Sequence, residues 1–230
     1  MRSYQAIILA AGQGKRMKAG ENKQFINISG RPLILHTLDV FLQDSWCAAI
    51  TLVVNPKDEE RMRELLDLVS SQKDIRLVMG GEERQQSVFS GLKSLKGYTG
   101  IVFIHDGARP FVSNDHLHAL AEATVENRAA LLAVPVTDTI KQVVNGRLET
   151  LDRKTLWAAQ TPQSFDFELI HQIHQQAAEQ GVLGTDDASL AEHYGYDVGI
   201  VQGSYHNIKV TTPEDLGKAQ AFLGSKQNNK

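Results

Sequence analysis

Short, nearly unbroken apolar runs alternate with longer amphipathic stretches along most of this chain. Residues 6–10 (AIILA), 50–54 (ITLVV), 75–78 (IRLV), 101–104 (IVFI) and 130–134 (ALLAV) each read as a buried strand. The clearest helical pattern runs over 56–69, where Met62, Leu65, Leu66 and Val69 share one face; Asn55 is placed to cap it and Pro56 to occupy its first turn. Continuous apolar strands with helices between them predict an α/β fold, a Rossmann-like, mostly parallel sheet covered by helices on both faces. Such sheets bind ligands beyond the carboxyl ends of their strands, so the residues that follow each strand carry the functional signal.

One segment departs from the alternation. Residues 139–144 and 147–151 flank Asn145-Gly146, a two-residue hairpin signal. A hairpin inserted here does not join a parallel sheet readily, and the pattern leaves open an edge ornament or an arm that embraces another subunit.

Composition narrows the class. With 230 residues, 42% apolar content and a net charge of −3, the chain suits one globular unit and lacks the basic excess of a nucleic-acid binder. No stretch is long and apolar enough to span a bilayer. The start runs from Met1 straight into a strand pattern, which argues against a secretory signal. Cys47 is the only cysteine, so a cytoplasmic setting is expected, with the thiol serving as a packing group.

After the first strand comes Ala10-Ala11-Gly12-Gln13-Gly14-Lys15-Arg16-Met17, then Lys23-Gln24-Phe25. Glycines let main-chain N–H groups approach phosphate oxygens, and Arg16 and Lys23 add the positive charge a triphosphate requires. The dinucleotide fingerprint wants a small residue where Met17 stands, and the P-loop wants Ser or Thr where Arg16 stands. Gly80-Gly81 after the third strand suits either a plain turn or a nucleobase lying against the backbone, with Ser87 opening the next helix. After the fourth strand, His105-Asp106-Gly107-Ala108-Arg109 places an acid and an arginine where α/β ligands bind; His105 reads as packed, and Asp106 as a possible ligand of Mg²⁺ held mainly by nucleotide phosphates. Thr185 or Asp186 is suited to capping a helix, and Lys209 sits on a short strand-like pattern.

Together these segments resemble the 2-C-methyl-D-erythritol 4-phosphate cytidylyltransferase family from Ala6 to about Leu223. The marks are Ala10-Ala11-Gly12-x-Gly14-x-Arg16-Met17, Lys23-Gln24, Gly80-Gly81, Ser87-Val88, His105-Asp106-x-Ala108-Arg109-Pro110, Asp138-Thr139, Asp152-Arg153, Thr161-Pro162-Gln163, Thr185-Asp186 and Asn207-Ile208-Lys209-Val210-Thr211. The resemblance implies transfer of CMP from CTP to the sugar-alcohol phosphate, with Mg²⁺ as cofactor. It also implies a single domain with residues 136–153 as an inserted dimerisation arm, and a homodimer in which each arm completes the other subunit's site. Ala10, Ala11, Gly12, Gly14, Gly80, Gly81, Glu82, Ser87, Asp106 and Ala108 are then expected around the CTP. Arg16, Lys23 and Lys209 are expected to neutralise the triphosphate. Asp106, Arg109, Thr139, Arg153, Thr161, Thr185 and Lys209 are expected around the acceptor, with Thr139 and Arg153 reaching across from the partner. The catalytic set is Arg16, Lys23, Lys209 and Arg153.

Leu9, Glu82 and Gly107 depart from residues common in the family, and none of these changes removes a charge the mechanism needs. A ribitol-5-phosphate cytidylyltransferase is the nearest rival; Ala11, Lys141 and Asp186 favour the methylerythritol enzyme. A catalytically silent nucleotide-binding subunit would have lost the basic residues retained here. A NAD-dependent dehydrogenase is opposed by Met17 and by the lack of an acid closing the second strand.

Overall fold

The computed structural model describes residues 3–12 and 22–227. Seven strands form the central sheet: β1 (Tyr4–Ala10), β4 (Cys47–Val54), β5 (Ile75–Met79), β6 (Ile101–Asp106), β7 (Ala129–Pro135), β10 (Trp157–Asp166) and β11 (Gly199–Gln202). Their order is β11-β7-β10-β6-β1-β4-β5. All neighbours run parallel except β10, which lies antiparallel between β6 and β7. The five strands expected from the apolar runs are all present. β10 was hidden because Pro162 interrupts a polar stretch; a register shift between Ala159 and Gln163 accommodates it.

The alternation along β1 divides the core. Tyr4, Ala6, Ile8 and Ala10 face one layer with Leu35, Leu38 and Phe41 of α1 (Leu33–Gln43), Met62 of α2 (Glu59–Asp67), and Leu117, Leu120 and Ala121 of α4 (Asn114–Asn127). Ile7 points the other way, toward Val88 and Leu92 of α3 (Arg84–Ser94) and Leu169, Ile170 and Ile173 of α5 (Phe167–Gln180). Helices therefore cover both faces, as a doubly buried parallel sheet requires. The shorter α6 (Asp187–His193) adds Leu190 and Ala191 to the second layer. The last helix, α7 (Pro213–Gln227), packs Ala219 in a separate small cluster with Ile28, Leu33, Phe111 and Val210.

The helical pattern expected over 56–69 splits into a 3₁₀ turn, Pro56–Asp58, and α2. Asn55 does cap the turn, its side-chain oxygen accepting from Lys57 N–H at 3.0 Å. Met62 is fully buried, and Leu65, Leu66 and Val69 pack against the same layer. Cys47 opens β4 and is buried; burial pushes its thiol up to about 12, so the residue is a packing group.

Two further strand pairs stand apart from the sheet. Residues 27–28 (β2) and 31–32 (β3) form a small ribbon. Lys141–Val144 (β8) and Arg147–Thr150 (β9) form the expected hairpin, with Asn145 and Gly146 both at positive φ (49° and 77°) as a type I′ turn demands. All eight strand residues of this hairpin are exposed, including Val143 at 67% and Leu148 at 71%.

Candidate active site

Sheet register brings the candidate residues together. Leu9 lies opposite both Val53 and Asp106, and Val54 lies opposite Ala10 and Met79. The segments that follow β1, β4, β5 and β6 therefore leave the sheet along one edge. A cleft of about 260 Å³ opens there, lined by Ala11, Gly12, Lys23, Gln24, Gly81, Glu82, Glu83, Arg84, Ser87, Asp106, Ala108 and Lys209, with Leu9 and Thr211 completing it. An adjoining hollow shares Ala11, Gly12, Gly81, Glu82 and Glu83 and extends to Gly80, Asn55 and Pro56.

Gly80 is required by packing. A Cβ there would come within 2.6 Å of Ala11 Cβ and 2.8 Å of Ser87 Oγ, so any larger residue would push the first loop away from α3. Ser87 lies in the first turn of α3, which begins at Arg84, three residues earlier than the sequence pattern suggested. Its hydroxyl accepts from Gly81 N–H at 3.1 Å, while Gln86 Oε1 accepts from the N–H groups of Glu82 (2.9 Å) and Glu83 (3.2 Å). The glycine loop is thus held by the helix it leads into. A Cβ on Gly107 would meet Leu9 O at 2.9 Å, so this segment runs close to β1.

Gly14 and Arg16 lie outside the described residues. Where the chain is next described, Asn22 is buried: its amide donates to Asp58 Oδ2 at 2.7 Å and to Ala10 O at 3.4 Å, and its oxygen accepts from Gln24 N–H. Asn22 thereby fixes the 3₁₀ turn Lys23–Phe25, which points Lys23 into the cleft, where its Nζ donates to Val210 O at 3.0 Å.

Asp106 is the electrostatic centre. Lys209 Nζ is 2.8 Å from its Oδ2, Arg109 Nε 3.6 Å from the same oxygen, and Arg84 Nε 3.8 Å from Oδ1. Burial alone would raise the pKa of this carboxyl; Lys209, Arg84 and Arg109 together outweigh it and hold the group far below the usual carboxylate range. The residue is a fixed anion that collects cations at the cleft. Lys209 sits in an extended segment without strand pairing, anchored by Val210 N–H to Ala108 O at 2.8 Å, which corrects the strand-like reading.

Behind Asp106 the wall is polar and held by hydrogen bonds, with Arg109 Nε and Asn207 Oδ1 left without one. Thr161 Oγ1 accepts from Asp106 N–H at 3.0 Å and lies 3.2 Å from His105 Nδ1, while His105 Nε2 reaches Arg109 O at 3.0 Å. Burial depresses His105 to about 4, so it is uncharged at neutral pH and packed, as its sequence context suggested. Asn207 ties Thr161 O to the Lys209 segment, and its carbonyl accepts from Arg109 Nη1 at 2.7 Å.

The remaining expected residues lie outside the cleft lining. Ala10 is buried under it, Arg109 and Thr161 stand behind it, and Thr185 is exposed with its hydroxyl donating to Ser189 Oγ. Thr139 and Arg153 sit at the stem of the hairpin, both exposed, with Arg153 Nη1 donating to Thr137 O at 2.7 Å. Arg84 lines the cleft without having been singled out from the sequence, and Gln24, marked there beside Lys23, lines it without having been given a role; the signal for Arg84 was its position directly after Gly80-Gly81 and two acids, at a helix start.

Among the described residues no three His, Cys, Asp or Glu side chains gather to hold a metal ion. Asp106 offers one carboxylate already facing three cations, so this donor set fits Mg²⁺ only as an ion carried on phosphate oxygens, with Asp106 as at most one ligand.

Comparison with known proteins places this geometry. Residues 4–225 match the family described as 2-C-methyl-D-erythritol 4-phosphate cytidylyltransferase. Enzymes of that name from Halalkalibacterium halodurans and Geobacillus kaustophilus are each 54% identical, over 97% of this chain and 98% of theirs. Among solved structures, the 4-diphosphocytidyl-2C-methyl-D-erythritol synthase of Anaerococcus prevotii is 34% identical with a TM-score of 0.86, covering 96% of both chains. The cytidylyltransferase of Thermus thermophilus is 30% identical with a TM-score of 0.79, covering 96% of this chain and 98% of its own. The chain therefore belongs to the 2-C-methyl-D-erythritol 4-phosphate cytidylyltransferase family.

Proposed function

We infer that this protein transfers CMP from CTP to 2-C-methyl-D-erythritol 4-phosphate and releases pyrophosphate, a step of non-mevalonate isoprenoid synthesis. The observation that carries the reading is the cluster of Lys209, Arg84 and Arg109 on one carboxylate, with Lys23 lining the same cleft. That arrangement suits a reaction whose obstacle is the meeting of two polyanions.

The acceptor's phosphate oxygen attacks the α-phosphorus of CTP. A new P–O bond forms while the bond from the α-phosphorus to the bridging oxygen breaks, and pyrophosphate leaves with that electron pair. The acceptor phosphate is already a nucleophile, so no protein group has to remove a proton. The protein's work is alignment and neutralisation of charge growing on the α-phosphoryl and pyrophosphate oxygens. Ala11, Gly12 and Gly81 supply close main-chain approach for the nucleotide, and Ser87 braces that loop. Lys23 and Arg16 stabilise the transition state, and Lys209 turns from Asp106 toward the phosphates. Arg109, Thr161 and Thr185 belong to the acceptor side. Mg²⁺ carried on the triphosphate, with Asp106 as at most one ligand from the protein, would add charge neutralisation.

We further propose that the protein is a cytoplasmic homodimer of single-domain subunits. The hairpin spanning 136–153 is then an arm that carries Thr139 and Arg153 to the partner's cleft. Its support is the exposure of Val143 and Leu148, a cross-strand pair with no core of its own. Among the described residues no helix is long and apolar enough to cross a membrane.

The test is pyrophosphate release from CTP and Mg²⁺ with methylerythritol 4-phosphate and ribitol 5-phosphate side by side. Turnover with the first is expected; preference for ribitol phosphate would overturn the acceptor assignment, and release with neither would overturn the transfer reaction.

A further inference from the structure

Arg84 makes two different contacts with two different carboxylates. Its Nη2 lies 2.7 Å from Asp187 Oδ2, and its Nε lies 3.8 Å from Asp106 Oδ1. Asp187 is 1% exposed and also receives His174 Nε2 at 3.1 Å, so this end of the guanidinium is locked inside the protein. Burial opposes the charge on Arg84, but Asp187 and Asp106 outweigh it, and the group remains a cation. The other end lines the cleft.

The same helical turn holds a second element. Gln85 Nε2 donates to Val182 O at 2.9 Å, and Gln85 Oε1 accepts from Gly184 N–H at 3.0 Å. Arg84 and Gln85 together peg residues 182–187 to the cleft wall. A side chain needed only to neutralise Asp187 would have no reason to face Asp106 as well.

The contact with Asp106 matters when Lys209 moves. Removing one partner from a buried ion pair is costly because it strands the other charge. With Arg84 present, Asp106 keeps two cations after Lys209 leaves. Without it, only Arg109 remains, and its Nε lies 3.6 Å away with no hydrogen-bond partner.

We propose that Arg84 is a positioning residue: by bridging Asp187 and Asp106 it frees Lys209 to engage the reacting phosphates. This rests on the transfer reaction above.

The test uses Arg84→Met/Asp187→Asn, which removes one charge of each sign and strands neither. We expect a melting temperature within a few degrees of wild type and CTP affinity, by titration without acceptor, within about threefold. kcat/KM for methylerythritol phosphate should fall by about tenfold or more. If the double variant does not fold, Arg84→Lys carries the test, because one ammonium cannot replace the two nitrogens Arg84 uses, and the same loss is expected. Placed in a Lys209→Ala background, the double change should cost less than about threefold further, since the two residues act through one step. Acceptor kinetics within threefold of wild type would overturn the inference, as would an equal loss of CTP affinity or a full further tenfold loss in the Lys209→Ala background. Absence of turnover by the wild-type protein would instead overturn the transfer reaction itself.

Discussion

At the carboxyl ends of β1 and β6, Asp106 meets Lys209, Arg109 and Arg84, and Lys23 is tied to Val210, all within one chain. Forty residues further on, the β8–β9 hairpin is exposed on both faces; Lys141 Nζ reaches Thr150 Oγ1, and Val143 stands across from Leu148 with both in water. The cleft is shaped by packing behind it: Ala11 against Gly80, Thr161 against Asp106, Asn22 against Ala10. The hairpin has only its own ladder and turn. A two-stranded ribbon of this kind is marginal alone, and its apolar pair makes sense when something covers it. The difference teaches that folding alone specifies the cleft, whereas the arm proposed for the hairpin has a role only in association with a second subunit.

Four changes break or sharpen that contrast. Phe103 is fully buried and stacks on Tyr4 with ring centroids 3.9 Å apart; Phe103→Ala should cost about 3–5 kcal/mol in chemical denaturation. Next comes pH. Unfolded, His105 takes up a proton near its ordinary 6.5, whereas folded it resists until about 4. The unfolded state therefore binds more protons across this window, and stability falls as the pH is lowered, the loss reaching about 3 kcal/mol near pH 4. Denaturation of His105→Gln should lack that component, and an unchanged pH dependence would contradict the assignment. Lys23→Ala should lower kcat by about a hundredfold, similar to losing one preorganised donor, with the fold intact by circular dichroism. Smallest is the effect of Val143→Ser/Leu148→Ser on the subunit itself: measured below the dimer dissociation constant, unfolding should shift by no more than about 0.5 kcal/mol. Sedimentation at higher concentration should show that pair of changes weakening the dimer, and a dimer of wild-type strength would remove the hairpin from the interface.

Much of this was legible in the sequence. Five apolar runs became five strands, Asn145-Gly146 became the turn, and Gly12, Lys23, Gly81, Ser87, Asp106 and Lys209 converged on one cleft. Strand β10 escaped because Gln160, Thr161, Gln163 and Ser164 are polar and Pro162 stands among them, yet Gln163 and Ser164 are buried by their neighbours. Arg84 escaped for a different reason. Its partners Asp106 and Asp187 lie 22 and 103 residues away, and no local pattern announces a bridge between them. Lys209 is an ordinary lysine by its local pattern; the family resemblance marked it, and the fold sets it 2.8 Å from Asp106.

The most direct test of a site divided between cleft and arm is complementation. Lys23→Ala spoils the cleft of its own subunit, and Arg153→Ala spoils the arm offered to the partner. Chains carrying either change should be nearly inactive alone. Refolded together, they should recover up to about a quarter of wild-type activity, because half of the dimers are mixed and each mixed dimer holds one intact site. No recovery from a mixture shown by mass to contain mixed dimers would contradict the division.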